Sequence, residues 1–207
     1  MPRLSKAKKE LIEKMVKERI FNEASLLLQQ EKPQLFTMEE LALHSGLAKG
    51  TLYNYFSDKQ AVIEFVANTI SDNILVDIKQ IYQDNLPDYR LILQKFLRVF
   101  LSNMGHYRYM NTAILAFSYE NISNGQRFSY DSIPKTSMRP YMEAFFAEGI
   151  QAGAFKPVSA TSLGVFFGST IRGLNIALTL ASQDDVQQRA QMEKDIEYLI
   201  INAICLK

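Results

Sequence analysis

The sequence predicts an all-α protein of about nine helices: an N-terminal three-helix helix-turn-helix unit and a larger helical domain behind it. Three observations lead there. Apolar residues recur with the 3.6-residue helical period along almost the whole chain, and no run between turn signals alternates as a strand does. Two segments, at Thr37/Glu40 and Ser57/Gln60, have the Ser/Thr-x-x-Glu/Gln spacing of a capping box, which marks a helix start. Between them lie one short apolar segment and a glycine, the layout of helix, tight turn and second helix.

Bulk composition permits this and excludes several alternatives. At 207 residues the chain is long enough for a large core. Its 47% hydrophobic and 22% charged residues are ordinary for a globular protein, so the chain is expected to fold. The single cysteine, Cys205, rules out a disulfide framework within the chain, and His44 and His106 are the only histidines. No cluster at metal-ligand spacing exists, and neither metal nor cofactor is expected. The N-terminal MPRLSKAKKE has no apolar run of signal-peptide length, which points to the cytoplasm. Residues 158–181 carry one charge, Arg172, but their Ser, Thr and Asn content and that central arginine argue for a helix buried in protein, not in a membrane.

The elements follow in order. Ile12, Met15, Val16, Ile20, Ala24, Leu27 and Leu28 form one stripe over residues 6–30, and Pro33 stops that helix from continuing. In FTMEELALHSG, Thr37 and Glu40 form the capping box, Phe36 and Leu41 have hydrophobic-staple spacing, and Gly46 is placed to end the helix in a left-handed conformation. The segment around 48–56 is the next helix. Ser57 and Gln60 then open a long one that links residues 1–60, the helix-turn-helix domain, to residues 61–207. Pro87 separates it from a helix at about 88–104, a shorter one follows at about 107–119, and the polar 121–135 reads as a loop. Helices at about 136–152, 159–182 and 185–206 complete the chain, punctuated by Gly153 and Pro157.

On a helical wheel for 48–56, Ala48, Leu52 and Phe56 share one side with Tyr55 on its shoulder, while Gly50 and Asn54 lie opposite, flanked by Lys49, Thr51 and Tyr53. A mid-helix glycine costs about 0.5–1 kcal/mol relative to alanine, which a surface that must approach another closely would justify. Asn54 suits an adenine edge, Lys49 a guanine and Thr51 a thymine methyl or a phosphate. Tyr53 and Tyr55 suit phosphate contacts that fix register. Lys59 sits where the helix dipole disfavours a cation, and a phosphate would reverse that sign. Charge supports the picture modestly: residues 1–59 hold ten Lys/Arg and eight Asp/Glu, and Arg3, Lys6, Lys8 and Lys9 form a short basic arm.

Residues 27–59, above all TMEELALHSGLAKGTLYNYFSDK, resemble the DNA-binding domain of the TetR family of bacterial transcriptional regulators, whose hallmark is a Gly-Thr-Leu-Tyr-x-x-Phe-x-x-Lys run. Here that run is Gly50 to Lys59. The resemblance implies a recognition helix from about 48 to 55 in the major groove, Tyr53 and Lys59 on phosphates, Lys49, Gly50, Thr51 and Asn54 facing bases, and Thr37 capping the preceding helix near the backbone. Two departures stand out: Ala48 replaces the usual capping serine, and Lys32-Pro33 replaces the usual glycine after the first helix. For the remaining 150 or so residues the resemblance is one of helical layout.

It also implies a homodimer on double-stranded DNA and a small-molecule effector. Gly164 and Gly168 lie one turn apart in GVFFG and, with Leu174, Ile196 and Ile200, are the candidate dimer contacts. Phe100, Met104, Tyr107, Phe117, Tyr141, Phe145, Phe166 and Arg172 are the candidate effector pocket, an aromatic and Met-lined cavity with Arg172 able to face an acidic ligand. The expected function is a dimeric repressor released from a pseudo-palindromic operator by a small, largely apolar or aromatic effector. The alternative is a DNA binder of the same fold with no effector. No catalytic motif appears, so no enzyme is expected.

Overall fold

The computed structural model describes residues 5–28, 36–104, 138–180 and 186–206. Among them are eight helices: α1 (Lys6–Leu28), α2 (Met38–His44), α3 (Lys49–Tyr53), α4 (Lys59–Asn85), α5 (Tyr89–Met104), α6 (Met138–Gln151), α7 (Ala160–Leu180) and α8 (Val186–Ile204). The expected 107–119 helix and 121–135 loop lie outside the described residues. The all-α expectation holds: the described residues form helices and turns, with one isolated β-bridge between Phe155 and Cys205. No described helix is long and apolar enough to cross a membrane.

The chain divides into two compact units, whose described residues end and begin at Ala67 and Asn68. In the first, the C-terminal half of α1 buries Ile20, Ala24, Leu27 and Leu28 in a core with Leu41, Ala42, Leu52, Phe56, Val62 and Val66. Phe65 packs its ring against Phe56 at 5.0 Å and edge-on to Phe21 at 6.4 Å. The apolar stripe of α1 does not stay buried to its start, since Ile12 and Met15 are 42% and 58% exposed. That half of the helix is held instead by i,i+4 ion pairs such as Lys17–Glu13.

Both ends of α2 follow from the sequence. Glu40 donates its N–H to Thr37 Oγ1 at 3.1 Å, and its carboxylate accepts from the Thr37 N–H at 2.7 Å, closing the capping box. Gly46 at φ +62° then lets the Leu47 N–H reach the Ala42 carbonyl and its own N–H reach that of Leu43, the paired bonds of a Schellman ending. The start of α4 differs by one residue from the expected Ser57. Asp58 is the cap: its Oδ1 accepts the Ala61 N–H at 2.8 Å, and Ser57 donates its hydroxyl to the same carboxylate. An anionic acceptor gains from the helix dipole where a hydroxyl does not, so the aspartate prevails.

The second unit is built on aromatic residues. Phe145 and Phe146 of α6 meet Phe155, Tyr89 and Phe96 in a core that includes Ile92, Leu93, Leu97, Phe167, Ile201 and Ile204. α6 packs against α7, and α5 against α7 and α8. A second Schellman ending, at Gly153 (φ +71°), turns the chain after α6. It sends Ala154–Lys156 alongside the C-terminus, where Lys156 donates to the Ile204 carbonyl and Leu206 to that of Ala154. Gly149 permits this closure: a Cβ there would lie 2.2 Å from the Phe155 ring.

Candidate nucleic-acid interface

The short helix α3 is positioned by one buried residue and the turn before it. Leu52 is fully buried and Phe56 nearly so, which pins one side of 49–56 to the core of the first unit. The opposite side is open. Lys49, Gly50, Tyr53 and Asn54 are exposed, Thr51 and Tyr55 half-buried, and nothing among the described residues lies within 4 Å of where a Gly50 Cβ would be. The helix is shorter than the expected 48–55, with Asn54 as its C-cap, and hydrogen bonds from Tyr55 and Phe56 back to Leu52 carry the turn to Phe56. Ala48, grouped by the helical wheel with Leu52 and Phe56, is exposed because its φ −65° and ψ 142° put it outside the helix, as an N-cap with no side-chain hydrogen bond.

Thr37 is exposed beside its own cap. Lys59, the first residue of α4, holds its ammonium 4.4 Å from the centroid of Phe36, so the ring face offsets the unfavourable dipole at that position. Sequence patterning assigned Phe36 only a staple role; the cation contact depends on how α2 and α4 meet. Lys49 is not directed straight outward either. Its Nζ pairs with the carboxylate of Glu39 on α2 and lies 5.9 Å from the Tyr53 ring. The hydrogen bond to Lys49 holds the Glu39 carboxyl below its ordinary range, and the same bond raises the Lys49 ammonium. Glu39 carried no sequence signal, being ten residues from Lys49 and across a turn.

Residues expected in the second unit separate into several environments. Tyr141 is half-buried with its ring edge-on to Tyr82 at 6.3 Å, and burial raises its phenol above the ordinary range. Phe145 stands among the rings of Tyr82, Tyr89, Phe96 and Phe155. Phe100 is edge-on to Phe167, whereas Phe166 is 44% exposed. The Arg172 guanidinium lies over Gly168, 3.5 Å from where its Cβ would be, and reaches Ser169 Oγ. Tyr107, Phe117 and the side chain of Met104 lie outside the described residues. Of the dimer candidates, Ile200 is buried within the chain, Leu174 and Ile196 pack against its core, and Gly164 faces Glu143 of α6.

The chain is similar in sequence and fold to known proteins. Residues 20–66 match the family described as bacterial regulatory proteins, tetR family. YxaF, an uncharacterized HTH-type transcriptional regulator of Bacillus subtilis (strain 168), is 26% identical over 171 residues, covering 81% of this chain and 86% of YxaF. A TetR family transcription regulator from Marinobacter aquaeolei VT8 superposes with a TM-score of 0.67 at 14% identity, over 96% of this chain and 100% of that one. Thermus thermophilus FadR, a TetR family transcriptional repressor solved in complex with lauroyl-CoA, gives 0.64 at 14% identity, over 92% and 96%.

Proposed function

We propose that the chain, whose residues 20–66 match the family described as bacterial regulatory proteins, tetR family, is a DNA-binding transcriptional regulator that acts as a cytoplasmic homodimeric repressor. It binds a pseudo-palindromic operator and is released by a small, largely apolar or aromatic effector. The observation that carries the DNA-binding part is the open side of α3. A buried Leu52 fixes the helix while Lys49, Gly50, Tyr53 and Asn54 are exposed, and the space above Gly50 is open among the described residues. That arrangement suits backbone-close entry into a major groove, with Asn54 and Lys49 on base edges and Tyr53, Tyr55, Lys59 and Thr37 on phosphates.

Two further features support the finer reading. α7 exposes Val165 and Phe166, and α8 exposes Tyr198 and Leu199, apolar surface that a second copy would cover. The lauroyl-CoA bound by FadR is a precedent for an effector with a long apolar part on this fold. Release by such a molecule requires that it bind one spacing of the recognition helices better than another. The test is selection of duplexes from a random pool at two salt concentrations. A palindromic consensus with half-sites about 34–36 Å apart, or a multiple of that, is expected. A consensus with a single half-site would remove the dimer, and salt-sensitive binding without any consensus would remove sequence recognition.

A further inference from the structure

We infer that Glu39 is an intramolecular stand-in for DNA: in the free protein it holds Lys49, and binding proceeds by exchange of that carboxylate for an acceptor on the nucleic acid. The inference rests on the α3 reading above and adds a residue that sets its affinity. Three observations lead to it.

The first is the pair itself, which joins the first residue of α3 to α2 across the turn and is exposed on both sides, at 58% and 56% for the two side chains. The pair commits one of the three N–H donors of the ammonium and holds it beside α2, so reaching a guanine or a phosphate away from that position requires the bond to open. The second is the division of labour between adjacent carboxylates. Glu40 is committed to the capping box, accepting from both the N–H and the hydroxyl of Thr37, whereas Glu39 points across the turn to Lys49. The third is the surroundings: Gly50 beside Lys49 leaves open space, with nothing among the described residues within 4 Å of where its Cβ would be. A carboxylate on a surface that must approach phosphates is otherwise unfavourable, since it repels them. Holding the one exposed cation of α3 makes it a threshold: only an acceptor better than Glu39 draws Lys49 away.

The experiment is a double-mutant cycle on the full chain, with Glu39→Gln, Lys49→Gln and the pair. Binding is measured on a duplex selected from the random pool, and melting temperature is recorded for each variant. Opening an exposed ion pair corresponds to about two- to five-fold in affinity, so Glu39→Gln is expected to tighten binding by that much. In the Lys49→Gln background the same change is expected to gain clearly less, because no ion pair remains to be opened. Glu39→Gln also removes a favourable charge from the first turn of α2, so its melting temperature should be unchanged or slightly lower. Tighter binding then cannot be a by-product of firmer folding. An equal or larger gain in the Lys49→Gln background would mean that Glu39 only repels DNA, and no gain in the wild-type background would mean that Lys49 stays on Glu39 in the complex. Either result overturns the exchange while leaving DNA binding intact. A wild-type chain that enriches no duplex overturns both.

Discussion

Single residues divide here by whether local chemistry or a distant neighbour decides their role. Thr37 is of the first kind, and Thr37→Ala should cost about 1 kcal/mol by removing an N-cap acceptor, read from denaturant midpoints. Gly50 is more informative, because a methyl group there meets nothing among the described residues. Gly50→Ala should therefore stabilise the fold by about 0.5–1 kcal/mol while weakening DNA binding, a loss of function without a loss of stability. If affinity survives the added methyl, no close approach occurs at this point. Asn54→Ala should relax base preference at one position, whereas Lys59→Ala should weaken binding to all sequences and flatten its salt dependence. Identical losses from both would refute those separate roles. The Lys59 contact with Phe36 and the Lys49 contact with Glu39 were not legible in the sequence. Each joins side chains from separate segments of the fold, and helical periodicity relates only neighbours on one helix.

At the scale of elements, the ends of helices were better marked than their faces. The capping box and Gly46 of α2 appear as the spacing of Thr37, Glu40 and Gly46 dictates, since the cap bonds join residues three to five positions apart. The start of α4 moved from Ser57 to Asp58 because two adjacent side chains compete for the same N–H groups and the charged one has the stronger bond. The faces of α1 and α3 were less predictable. Ile12 and Met15 continue the stripe of Ile20 and Ala24 yet are exposed, because a helix buries only the length that a neighbour covers. In the larger unit, the turn after α6 depends on Gly149. Gly149→Ala should cost about 1–3 kcal/mol by forcing a Cβ into the Phe155 ring. Chemical denaturation measures that cost, and an unchanged midpoint would show that Phe155 can move aside without penalty.

For the whole molecule the expectation is assembly. The exposed apolar side chains Val165, Phe166, Tyr198 and Leu199 lie on the last two helices, where the glycine motif of α7 had suggested an interface. Leu199→Asp should convert dimer to monomer in sedimentation velocity and leave the helical circular dichroism unchanged, since Leu199 is 64% exposed within one chain. A wild-type chain that sediments as a monomer at micromolar concentration would remove the dimer and with it the palindromic operator. The two-glycine motif serves the single chain as well: Gly164 faces Glu143 and Gly168 accommodates Arg172.

Sequence alone was enough to show that the protein is helical, that α2 is capped by Thr37 and stopped by Gly46, and that the segment from Gly50 to Lys59 resembles the recognition run of a DNA-binding family. Each of these is carried by backbone hydrogen bonding and side-chain type within a few residues, so linear spacing is enough. Tertiary structure decided which apolar residues are core, where the cations of α3 and α4 rest, and that Phe155 closes on Gly149 and the C-terminus. Those outcomes depend on which helices meet, and packing brings together residues whose separation along the chain carries no periodic signal.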